Sequence, residues 1–108
     1  LAQAAFERLQ RRRPLVGDTA SIDFLPEYDV LLVTRTATGT ATVNLPRAAD
    51  MEGRTIEIKD AGFNCTANAI TVDAAGSEEI DQATTVTMNT IDGEPLSLYS
   101  DGAEWYII

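Results

Sequence analysis

The chain has 108 residues and a formal net charge of −9, with no histidine and one cysteine, Cys65. That length holds a single domain. The absent histidine excludes a Ser-His-Asp triad, a Cys–His dyad and a His-ligated zinc within one chain, and the lone cysteine excludes an intrachain disulfide.

Charge is unevenly spread. Residues 1–13 carry four arginines against one glutamate, a net of +3, while residues 14–108 carry four basic against sixteen acidic groups, a net of −12. The acidic body repels nucleic acid and anionic membranes. No apolar run is long enough to cross a bilayer and no signal-peptide core is present, so membrane insertion is not expected. Leu1 in place of methionine points to a processed or partial chain.

"LAQAAFERLQRRR" predicts a short N-terminal α-helix over residues 1–13: it lacks glycine and β-branched residues and stops at Pro14. Leu1, Ala5 and Leu9 at four-residue spacing, with Ala2 and Phe6 beside them, form a narrow apolar stripe. Thirteen residues are marginal as an isolated helix. The segment is therefore expected to pack on a partner or to end a longer helix or coiled coil. Arg11, Arg12 and Arg13 suit the helix C-terminus, where cations offset the macrodipole; they also suit docking on an acidic protein, ahead of any grip on nucleic acid.

Residues 14–27, with two prolines, a glycine and small polar residues, read as an extended linker or arm. Leu15, Val16, Ile22, Phe24 and Leu25 are too apolar for a free tether, so the arm should lie against a surface.

From Tyr28 the period becomes two, and residues 28–108 are expected to form the β-domain. "TATVNL" alternates Ala41, Val43 and Leu45 with polar residues, and "RTIEIK" does the same with Ile56 and Ile58. Ile70 with Val72, Val86 with Met88, and Leu96 with Leu98 mark further half-buried strands. "YDVLLVT" is continuously apolar and predicts a strand covered on both faces. Turns are expected at Thr38-Gly39, at 46–53, 60–64, 73–77 and 92–95, and at Asp101-Gly102. Seven or eight short strands predict an all-β fold, a small antiparallel β-sandwich or barrel-like module. Thirteen threonines, mostly inside these strands, agree with that reading.

Cys65, in the turn-like "FNCTAN", reads as a small space-filler without a base to activate it. Glu78, Glu79 and Asp81 could hold calcium or form a glycosidase pair, but neighbours on a strand point to opposite sides and no EF-hand spacing is present, so a solvated acidic turn is the expectation. Asp101-Gly102 is a hairpin signal, which folds residues 104–108 back on residues 95–100. Trp105 and Ile107 then face one side, Tyr106 and Ile108 the other. Trp105 could stack on a sugar ring, yet among such neighbours it reads as core or interface. A last strand apolar on both faces makes a poor exposed edge, so one face is expected in the core and the other against a partner.

The ordered blocks "TVNLP", "GRTIEIKDAGFN", "NAITV", "GSEEID", "TTVTM" and "SLYSDGAEWYII" resemble a C-terminal β-module of bacteriophage fibre, spike and head-fibre proteins, over about residues 26–108. Gln82 departs from that pattern, which has glycine after "ID", so the turn there is expected to differ. The resemblance implies a trimeric virion surface protein, made in the host cytoplasm, attached to head or tail and presenting its β-domain for host-cell adsorption. It carries over no catalytic residue, and no enzyme activity, cofactor or metal is expected.

Under that reading Trp105, Tyr106, Ile107 and Ile108 form the homotrimer interface. Leu1, Ala5, Phe6, Leu9, Arg11, Arg12 and Arg13 dock the chain on a capsid or tail protein. A host-surface glycan is a further partner. A lectin-like module of a tail-fibre tip or secreted adhesin is the alternative. A tailspike depolymerase is third, and the chain is short for the groove it would need.

Overall fold

Ala41, Val43, Leu45, Ile56, Ile58, Ile70, Val72, Met88, Leu96 and Leu98 are all buried, so the period of two places these residues where it should. The computed structural model describes residues 14–108; the helix expected over residues 1–13 lies outside the described residues. Among the described residues there are nine strands, one 3-10 turn at Ala48–Met51 and no α-helix. The strands are β1 (Leu15–Gly17), β2 (Ser21–Asp23), β3 (Val30–Val33), β4 (Ala41–Asn44), β5 (Thr55–Asp60), β6 (Ile70–Asp73), β7 (Thr85–Met88), β8 (Pro95–Ser100) and β9 (Trp105–Ile107).

They make two facing sheets, ordered β1-β3-β5-β8-β9 and β2-β4-β6-β7. The chain winds between them. Each of the pairs β1–β2, β3–β4 and β5–β6 leaves one strand in each sheet, and the next pair stacks on it in parallel. After β6 the direction reverses: β7 runs antiparallel to β6, β8 to β5 and β9 to β8.

The expectation of an antiparallel sandwich is thus corrected to two mixed sheets. The reason is physical. Alternating side chains record which face is buried but not the direction of the neighbour. Parallel neighbours need a long return, and here the return path is itself a strand of the opposite sheet.

Two further expectations change. Residues 14–27 are more than an arm, because β1 and β2 open the two sheets and Ile22 and Phe24 are buried in the core. The β-domain accordingly begins at Leu15 rather than Tyr28. In β3, Leu31 and Val33 are fully covered while Val30 and Leu32 are only half-buried on the outer face, so that strand is not covered on both sides.

Strand pairing explains the division of faces. Leu31, Ile58 and Leu96 lie in one row across the first sheet and point inward. In the second sheet Val43 and Val72 face inward, whereas Asn44 and Asp73 lie side by side on the outer face. Asn44 there donates its amide to Ser21 Oγ (3.1 Å) and Asp23 Oδ1 (3.0 Å).

Every cation among the described residues is engaged nearby. Arg35 donates to the carbonyls of Thr38, Gly39 and Thr40, and Arg47 pairs with Asp50. Arg54 reaches the Pro26 and Tyr28 carbonyls and Asp29 Oδ1 (2.6 Å). Lys59 donates to the Gly93 carbonyl and sits 5.4 Å from the centre of the Phe63 ring.

Candidate functional site

The predicted Asp101-Gly102 hairpin forms. Asp101 Oδ1 accepts the N–H groups of Ala103 and Glu104, both at 2.8 Å, and Gly102 turns the chain at φ 94°. Leu98 then faces Ile107, Tyr99 faces Tyr106 and Ser100 faces Trp105.

Of the four residues expected at an interface, Trp105 is completely buried within its own chain, and this removes it both as an oligomer contact and as a platform for a sugar. Ile107, on the same side, sits at the sheet's rim and is 41% exposed; Tyr106 is 42% and Ile108 68% exposed. Tyr99 joins them as the cross-strand neighbour of Tyr106. The exposed apolar corner is therefore Tyr99, Tyr106, Ile107 and Ile108. The docking residues Leu1, Ala5, Phe6, Leu9, Arg11, Arg12 and Arg13 lie outside the described residues.

The backbone edge of β9 is not bare. Trp105 N–H donates to the Glu79 carbonyl (2.9 Å), Asp81 N–H to the Trp105 carbonyl (3.1 Å) and Ile107 N–H to Asp81 Oδ1 (3.2 Å). The acidic stretch 78–81 is thus a strap rather than a merely solvated turn. Glu78 Oε1 also accepts the Ala48 N–H at 2.9 Å, while Ile80 is buried between them. Asp81 and Gln82 both have positive φ, 48° and 70°, in a two-residue turn closed by Ile80 and Ala83. Gln82 thus holds a left-handed conformation that glycine adopts more readily.

A second constellation joins two loops at one end of β5. Asp60 is fully buried, and its Oδ2 accepts the N–H groups of Cys65 and Gly93, each at 3.0 Å. Its Oδ1 has no hydrogen-bond partner. Burial alone would push this carboxyl up; the N–H donors of Gly93 and Cys65 outweigh burial and hold it below its ordinary value. Cys65 is buried, as expected of a space-filler, and its thiol donates to the Ile91 carbonyl at 3.1 Å. Burial first, then the Asp60 carboxylate, pushes that thiol up to about 11. Asp92 closes the group, its Oδ1 accepting from Thr66 N–H (3.1 Å) and Oγ1 (2.8 Å). Above the junction Phe63 (61%) and Ile91 (63%) are exposed, and Phe63 holds a left-handed φ of 54°. Its ring lies so close over Gly93 that a Cβ there would fall 2.6 Å from a ring carbon.

Nothing in the spacing of Asp60, Cys65 and Asp92 announces this cluster. The signal lies in the β5–β8 pairing, which sets Lys59 opposite Pro95 and so brings the two flanking loops together.

No family model and no curated protein matches the chain.

Proposed function

We propose that the protein is a structural element of a bacteriophage surface: a homotrimeric fibre, spike or head decoration that presents its β-domain for host-cell adsorption. The observation that carries the reading is the apolar corner of Tyr99, Tyr106, Ile107 and Ile108 on a body of net charge −12. An acidic surface keeps chains apart, so an apolar cluster at the terminal strand is where self-association gains most. Covering side chains that are already partly buried gains about 1–2 kcal/mol each before association costs, and threefold symmetry repeats that gain. The order of sequence blocks ending in "SDGAEWYII" supports the same reading. Residues 1–13, basic and with an apolar stripe, would attach the trimer to a capsid or tail protein. Antibodies against the full chain should label the periphery of intact particles in electron micrographs. Particles that stay unlabelled while the protein is abundant in the lysate would contradict the proposal.

A lectin-like role is the second reading, favoured by the exposed Phe63 ring at a loop end. A sugar stacking on that ring would take the place of the Lys59 ammonium, which stands 5.4 Å from its centre. Binding of host glycan that is lost in Phe63→Ala, with the fold intact, would support it.

A further inference from the structure

We propose that Asp60, Cys65 and Asp92 form a binding site for a zinc-type divalent cation. A carboxylate oxygen of Asp60, the Cys65 sulfur and a carboxylate oxygen of Asp92 all lie within 4.8 Å of one another. Ligands of a tetrahedral zinc stand roughly 3.3–3.8 Å apart, given Zn–S near 2.3 Å and Zn–O near 2.0–2.2 Å. The 4.8 Å bound is wider than that spacing, so binding would draw the two loops together.

A separate observation points to a ligand. Asp60 has no solvent exposure, yet its Oδ1 has no hydrogen-bond partner. A buried carboxylate oxygen without a donor is costly. Both backbone donors within hydrogen-bond geometry, Cys65 and Gly93, go to Oδ2, and the weaker influence of the Asn64 N–H and the Cys65 thiol on the carboxylate leaves Oδ1 without a hydrogen bond. Asp92, by contrast, is exposed; Thr66 occupies its Oδ1, and no described residue donates to its Oδ2. Each carboxylate thus has one oxygen without a donor among the described residues.

The donor set selects the ion. One thiolate and two carboxylates suit zinc, with water or a partner's group in the fourth position. Calcium takes six to eight oxygens and magnesium near-ideal octahedral oxygen geometry. Binding converts the Cys65 thiol to a thiolate: the S–H bond breaks, its proton passes to solvent, the hydrogen bond to Ile91 is lost and a metal–sulfur bond forms. The ion would staple residues 60–65 to residues 91–93 beneath Phe63.

The full chain, stripped with chelator, is titrated with cobalt as a spectroscopic probe and with zinc. One equivalent of cobalt should produce a near-ultraviolet sulfur-to-cobalt charge-transfer band that zinc then abolishes, and zinc should raise the melting temperature read by Trp105 fluorescence. Cys65→Ser should remove the band. Asp92→Asn keeps the oxygen that Thr66 bonds, and should weaken zinc at least tenfold while leaving the metal-free melting temperature within a few degrees. Absence of the band, a band that persists in Cys65→Ser, undiminished zinc affinity in Asp92→Asn, or a melting shift with calcium but not zinc would each overturn the proposal.

Discussion

Asp81 Oδ1 accepts the backbone N–H of Ile107 at 3.2 Å, and with the Glu79 carbonyl on Trp105 it satisfies both outward-facing N–H groups of the last strand. An open strand edge is a template for pairing with another chain. Here a strap from the same chain covers it, so self-association through β9 must use side chains rather than ladder hydrogen bonds.

Asp81→Ala removes that acceptor and places alanine at a φ of 48°. The loss should be about 1–2 kcal/mol, or roughly 4–8 °C in melting temperature per kcal/mol. Calorimetry checks it. An unchanged melting temperature would show that the strap does not hold the edge.

Gln82 sits at φ 70° in the turn that Ile80 and Ala83 close. Gln82→Gly should stabilise the fold by about 0.5–1 kcal/mol, since relief of left-handed strain exceeds the extra chain entropy of glycine. A higher denaturation midpoint with an unchanged slope is the expected result.

Arg54 binds Asp29 Oδ1 and the carbonyls of Pro26 and Tyr28, and so ties the segment before β3 to the start of β5. Arg54→Ala should cost about 1.5–3 kcal/mol through those charge-assisted bonds. Amide exchange should speed up first at residues 24–29. Asp29→Asn, which retains an acceptor, should cost clearly less.

The hairpin carries a pH signature. The N–H groups of Glu104 and Ala103 hold the Asp101 carboxyl below its ordinary value. Because its folded value is the lower one, its contribution is complete above the ordinary carboxylate value and is lost as pH falls through the folded one. The Tyr106 phenol donates to Asp101 Oδ2 at 3.1 Å, and Asp101 pushes its titration up. Asp101→Asn should therefore flatten part of the acid loss of stability and return Tyr106 toward the ordinary tyrosine value. An NMR titration in which Tyr106 does not move between wild type and variant would contradict this.

The faces of the strands were legible because burial imposes a period of two: Ile56, Ile58, Leu96 and Leu98 need no tertiary knowledge to be set inward. The Asp101-Gly102 turn was legible because its conformation is local. Strand direction was not, since Val43 alternates identically whether Val72 runs parallel or antiparallel beside it. The role of Asp81 and the grouping of Asp60 with Cys65 and Asp92 were hidden for a related reason. Each depends on contacts between residues about 25 or more positions apart, or on which of two carboxylate oxygens is free.

Self-association through the C-terminal corner is read most directly from the solution mass of the full chain. Analytical ultracentrifugation should give one species of about 35 kDa, three times the 11.7 kDa of the chain. Salt should tighten it, by screening the repulsion between acidic bodies. A single species of 11.7 kDa at high concentration and high salt, with Trp105 still buried by its fluorescence, would contradict the account.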